Sequence, residues 1–159
     1  MPTLLDELQA HRPGTGKRVF GLILQGGGMR AAYSAGAIAP LVQYGLQNSF
    51  DHVIGSSAGG INAAYLLGAD AETFHTYTDD LTNKNFINLM RKDKKVDIDF
   101  LVDEVLTHKR PVDLANLRKS PSQLHIVVTD AKTGKKTIIS NHQQFAIGFI
   151  TINMRMPFY

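Results

Sequence analysis

Phe50-Asp51-His52-Val53-Ile54-Gly55-Ser56-Ser57-Ala58-Gly59-Gly60-Ile61-Asn62-Ala63 is the stretch that decides the fold. Phe50 to Ile54 reads as a short buried strand stopped by Gly55. Ala58 to Leu67, rich in small residues and apolar on every side, reads as a buried helix. The same order occurs once upstream. Val19-Phe20-Gly21-Leu22-Ile23-Leu24 is an apolar run ended by Gly26-Gly27-Gly28, and a helical pattern follows from about Arg30 to Gln47. Tyr33, Ala37, Leu41 and Tyr44 share one face of that helix, and Pro40 is expected to kink it. Two strand-turn-helix units in succession predict an α/β fold: a mostly parallel sheet with helices on both faces.

Away from this nucleus the pattern is more polar. Ala71 to Leu81, Asn85 to Lys92, Ile98 to His108 and Asp113 to Lys119 are candidate helices, the third capped by Asp97 or Asp99 and ended by Pro111. Gln123 to Val128 and Lys136 to Ile139 read as strands, paired as a hairpin around the turn Ala131 to Lys135. Residues 1–17 form a lead-in, with a short amphipathic stretch at Leu4 to Leu8 and a mobile connector, Arg12-Pro13-Gly14-Thr15-Gly16. Gly16-Lys17 is not a phosphate loop: His11 stands where the first glycine is required, and Arg18 where Ser or Thr must hold magnesium. Residues 18–159 form the domain proper. From Asn141 onward no element is readable.

The composition narrows the chemistry. The chain has 159 residues, 43% hydrophobic and 19% charged, with a formal charge of +3. That length fits one domain, and the charge is too mild to imply a nucleic-acid partner. With no cysteine, a disulfide scaffold, a thiolate metal site and a cysteine nucleophile are excluded. No apolar run approaches the roughly 18–20 residues of a membrane span, and Asp6 and Glu7 stand where a signal peptide would be basic and then apolar. A cytoplasmic protein is expected, and its reading calls for no metal and no cofactor.

Gly55-Ser56-Ser57-Ala58-Gly59 matches G-x-S-x-G, with Ser57 central. That spacing places a serine on a strained strand-to-helix turn, where flanking small residues let backbones pack closely and a helix N-terminus faces developing negative charge. The alternative is a glycine-rich turn with Ser57 as a capping residue. Gly26-Gly27-Gly28 exposes successive backbone N–H groups that can converge on an anionic oxygen, and Arg30 adds a positive charge. A rival for this turn is dinucleotide binding, since Gly26-x-Gly28-x-x-Ala31 follows a strand. It requires an acidic residue at the end of the second strand, whereas Asp51 precedes that strand. Together the two turns supply a nucleophile and an oxyanion site.

Leu24-Gln25-Gly26-Gly27-Gly28-Met29-Arg30-Ala31-Ala32-Tyr33, followed by Val53 to Ala63, resembles the patatin-like phospholipases, bacterial type. Val127-Val128-Thr129-Asp130 and Thr133-Gly134-Lys135 extend the likeness, which covers roughly Arg18 to Ser140. The resemblance implies a three-layer α/β sandwich and hydrolysis of lipid acyl esters. It implies Ser57 as nucleophile within an elbow of Gly55, Ala58 and Gly59, with Gly26, Gly27, Gly28 and Arg30 as the oxyanion site. Ala31 departs from the family's usual glycine. The larger departure concerns the family's catalytic aspartate, which stands in an Asp-Gly motif. No Asp-Gly dipeptide occurs in this sequence, and Met154 to Tyr159 faintly echoes the segment just before that motif. A patatin-like domain with its C-terminal part missing, and an impaired activity, are therefore expected.

Three other readings remain beside this one: an inactive remnant that binds lipid or a protein partner, the dinucleotide-binding module, and a Ser57–Asp130–His142 triad. The triad has the chain order of an α/β-hydrolase, but nothing around His142 forms a motif. An acyl-carrier transacylase would place histidine where Ser56 stands. Arg91-Lys92-Asp93-Lys94-Lys95, with Lys84 nearby, suits either a solvated surface or peripheral contact with an anionic membrane. Sheet edges left open by the missing part predict homo-oligomers or aggregates.

Overall fold

A computed structural model describes residues 1–130 and 132–141. Strands β1 (Gly21–Leu24), β2 (His52–Ser56), β3 (Gln123–Thr129) and β4 (Lys136–Ser140) form one sheet in the order β1-β2-β3-β4. The β1–β2 and β2–β3 pairs are parallel, and β3–β4 is the expected antiparallel hairpin. The fold is α/β with a mostly parallel sheet.

Register fixes the two faces. Leu24, Gly55, Ile126 and Ile139 stand in one row across the sheet, and Ile23, Ile54, His125 and Ser140 in the next. Helix α3 (Ala58–Gly68) lies on the Leu24 face with every residue buried, because it has no polar side to offer water. Leu66 and Leu67 within it are almost completely enclosed, and burial of each contributes about 1.5–3 kcal/mol. Helices α2 (Ala31–Gln43) and α4 (Leu114–Lys119) pack against α3. On the other face Ile23 is 74% and Ile138 50% exposed.

Several local expectations change. Strand β1 starts at Gly21 because the Phe20 amide donates to Asp51 Oδ2 rather than to a neighbouring strand. Strand β2 runs on through Gly55 to Ser56, two residues beyond the expected end at Ile54. Helix α2 continues past Pro40 but stops at Gln43, short of Gln47. It buries Ala31, Ala35 and Ile38; the face carrying Tyr33 and Tyr44 is turned to solvent, with Tyr33 86% exposed. Two apolar stripes competed there, and small residues won the tight contact with α3.

Ala71 to Leu81 divides into a 3₁₀ turn, Ala71–His75, and a π turn, Thr76–Asp80; the third candidate becomes a π-helix, Phe100–Lys109. Asp97, one of the two expected caps, accepts the Phe100 amide at 3.0 Å. Asn85 to Lys92 is not helical. It is one limb of a short antiparallel excursion closed by the Ile87–Val96 bridge.

The lead-in is anchored rather than mobile. Helix α1 (Leu4–Ala10) opens on a capping box of Thr3 and Asp6 and buries Leu8. Asp51 then gathers His11 Nε2, the Gly14 amide and the Phe20 amide, each at 2.8 Å. Burial pushes the Asp51 carboxyl up, but these three partners outweigh it and hold it below the ordinary aspartate range.

Candidate active site

Ser57 stands between β2 and α3 with φ 51° and ψ −132°. A non-glycine residue rarely holds such a backbone, at a cost on the order of 1–3 kcal/mol, and surrounding structure must impose it. Close packing imposes it here. A Cβ on Gly59 would overlap the Leu24 carbonyl and lie 2.8 Å from that of Gln25. One on Gly55 would overlap the Gly59 carbonyl, and one on Gly26 would lie 2.9 Å from the Ser57 Cβ. The two glycine turns are thus locked against each other, which is why the sequence needs glycine on both.

Ser57 occupies the N-cap of α3, yet its side chain makes no capping hydrogen bond. The capping alternative raised by the sequence therefore does not hold. No described residue bonds the Ser57 hydroxyl.

Gly27 (φ 157°) and Gly28 (φ 56°) turn the chain from β1 into α2. Both line the same cavity as Ser57. Arg30 is exposed, and its guanidinium folds back so that Nε lies 3.4 Å from where a Gly27 Cβ would stand. The candidate oxyanion residues and Ser57 are thus brought to one place, with Gly55, Ala58 and Gly59 behind them.

The cavity has a volume of about 430 Å³. Met29, Ile61, Leu81, Phe86, Ile98 and Leu101 give it an apolar lining, interrupted by Thr76 and Tyr77. The Thr76 hydroxyl is spent on the Thr73 carbonyl at 2.7 Å, and the Tyr77 hydroxyl donates to Asn62 Oδ1 at 2.9 Å. The sequence alone does not mark Tyr77 or Asn62. A tyrosine in a polar helical stretch and an asparagine in a buried helix carry no motif; only the buried position of α3 marked Asn62 as needing partners.

Asp130 is occupied elsewhere. Its Oδ1 accepts the Lys132 and Thr133 amides at 2.9 and 2.8 Å in the hairpin loop. The Thr133 amide, then the Thr133 hydroxyl and the Lys132 amide, hold its carboxyl below the ordinary range. It is a turn cap. His142 lies outside the described residues, as does the rest of the segment from Asn141 onward apart from Asn141 itself. Asn141 is buried and donates to the Leu117 and Ser122 carbonyls. For the dinucleotide reading, β2 ends in Ser56 rather than an acid, and Asp51 is committed to the lead-in. Among the described residues no group of three or more His, Asp or Glu side chains is arranged to hold a metal ion, and no helix is long and apolar enough to cross a membrane.

An α/β sheet with a glycine-locked serine turn and a facing glycine loop is the architecture expected from the resemblance. The model of the patatin-like phospholipase family matches residues 22–148, and the chain belongs to that family of lipid hydrolases. No curated protein matches the sequence.

Proposed function

We propose that the chain is a serine acyl hydrolase of lipid esters, of phospholipase, lysophospholipase or esterase type, acting through Ser57. The observation that carries this reading is the state of Ser57: a strained turn, a hydroxyl not spent on capping, and an apolar cavity shared with Gly27 and Gly28. An acyl chain would occupy the cavity, which at about 30 Å³ per water-sized group holds on the order of a dozen heavy atoms.

In the proposed reaction Ser57 Oγ attacks the ester carbonyl carbon. Charge developing on the carbonyl oxygen meets the Gly26–Gly28 amides and the α3 N-terminus, with Arg30 adding positive potential. The alcohol leaves with a proton, and water then hydrolyses the acyl-enzyme. No described carboxylate or imidazole reaches the Ser57 hydroxyl, and removal of a base from such a site typically costs about 10⁴-fold. With the described residues alone, slow turnover is expected, with acylation of Ser57 still measurable.

That no such contact occurs among the described residues favours a second reading, a lipid-binding domain without turnover. We place the protein in the cytoplasm, with peripheral contact at an anionic membrane. A fluorophosphonate probe separates the two readings. Labelling that disappears in Ser57→Ala and persists in Ser56→Ala supports the hydrolase. No labelling of folded protein, or equal labelling of both variants, overturns it.

A further inference from the structure

We propose that the excursion between Lys84 and Asp97 is a membrane-docking hairpin that seats the cavity mouth on an anionic lipid bilayer; this rests on the lipid-ester reading of the Ser57 site. Its tip is apolar and unshielded. Leu89 and Met90, at the turn, are 76% and 91% exposed. Large apolar side chains held in water at a turn gain by entering an acyl layer.

The hairpin is built rather than loose. Ile87 bridges Val96, the Asn88 amide donates to the Lys95 carbonyl at 2.9 Å, and the Asp97 amide to the Phe86 carbonyl at 2.8 Å. Arg91 clasps the two limbs: its Nη2 donates to the carbonyls of Lys84 and Asn85 at 2.9 and 3.0 Å, and its Nη1 lies 3.2 Å from Asp97 Oδ2. Arg91 is therefore a structural clasp and is not free for a headgroup.

Lys84, Lys92 and Lys95 are the cations that can meet headgroups, since all three are exposed and none forms an ion pair among the described residues. Lys94 is paired with Asp99. From Lys84 to Asp97 five cations stand against two carboxylates, an excess equal to the formal +3 of the whole chain. Apolar tip and cationic flank together match an anionic interface better than either a neutral membrane or a protein groove. Continuity with the site decides the orientation. Phe86, Ile87 and Val96 on this same hairpin, with Ile98 just beyond it, line the cavity that reaches Ser57. Docking it would place lipid acyl chains next to an apolar wall, so that substrate could pass from bilayer to cavity without crossing bulk water.

The chain contains no tryptophan, so Met90→Trp supplies a single reporter. With phosphatidylcholine vesicles containing phosphatidylglycerol, its emission should shift to the blue and be quenched by brominated acyl chains. Leu89→Trp serves as a second reporter, and Tyr33→Trp on the solvent face of α2 should not respond. Replacing Lys84, Lys92 and Lys95 with glutamine should weaken partitioning by about fivefold each, the equivalent of about 1 kcal/mol per lysine. Unshifted emission from both tip reporters, equal binding to pure phosphatidylcholine, or a shift that tracks protein self-association instead of lipid would overturn the proposal. Probe labelling of Ser57 without vesicle binding refutes the docking alone, whereas vesicle binding without labelling refutes the hydrolase and leaves the docking standing.

Discussion

The Tyr77 hydroxyl donates to Asn62 Oδ1 at 2.9 Å, and Asn62 Nδ2 passes the link on to the Ala31 carbonyl and Ser34 Oγ, both at 3.0 Å. One wall of the cavity is thereby tied through the helix after Ser57 to the helix after the glycine loop. Burial first, then the neighbouring Tyr65, pushes the Tyr77 hydroxyl far above its ordinary value, so it stays a donor at all ordinary pH.

Tyr77→Phe should therefore destabilise the fold although it removes a single oxygen. Asn62 is completely buried, and the variant leaves its Oδ1 without a donor, a loss of about 1–3 kcal/mol. A lowered urea midpoint with unchanged slope is the expected result. A midpoint equal to that of the parent protein would mean that the bond contributes nothing.

Gly59→Ala and Gly36→Ala should move stability in opposite directions. At position 59 a methyl group would overlap the Leu24 carbonyl, and neither β1 nor α3 can retreat, so the cost is on the order of 3 kcal/mol or more. At position 36, on the exposed side of α2, it meets open space and removes helix-destabilising freedom, a gain of about 0.5–1 kcal/mol. Chemical denaturation of both variants checks the contrast. A tolerated alanine at 59 would show that the two turns are not locked.

The contrast also shows what could be read in advance. Gly26 to Gly28 and Gly55 to Gly59 announced both turns, because a chain that must bring backbones this close has no residue but glycine to use. The parallel strand pairing followed from the alternation of elements. The π turns at Thr76–Asp80 and Phe100–Lys109 were not legible, since Asp79 and Asp80 are drawn to Arg110 from 30 and more residues away and apolar spacing does not separate the two helix types. The Lys84–Asp97 excursion reads as helix locally; its geometry is set by the Arg91 clasp and the Ile87–Val96 bridge. At the site, the serine and its glycines were visible as a motif, whereas Tyr77 and Asn62 become meaningful only once both are buried together.

A pH dependence of stability should arise from the sheet. His52 Nδ1 and His125 Nε2 lie 3.1 Å apart on adjacent strands. Burial, then the neighbouring His52, hold His125 below the ordinary histidine value. In the unfolded chain it titrates near 6.5, so the contribution is fully present above about pH 6.5 and is lost as pH falls through the lower folded value. Urea midpoints should fall between neutral pH and about pH 5, and His125→Gln should flatten that slope. An unchanged slope in the variant would assign the effect to other groups.

Among the described residues β1 and β4 are the outer strands, and Ile23 and Ile138 project from them, largely exposed, on the face opposite α3. Outer strands offer unpaired backbone groups, and an exposed isoleucine on each makes association of two chains favourable. We therefore expect the 159-residue chain to bind a hydrophobic dye and to sediment as a concentration-dependent oligomer. Ile23→Lys together with Ile138→Lys should shift it toward monomer and reduce dye binding, because a charge on either outer strand opposes edge pairing. Both positions lie outside the cavity lining, so Ser57 labelling should survive the change. A dye-negative monomer with a sharp melt, before any substitution, would show instead that this face is covered in solution.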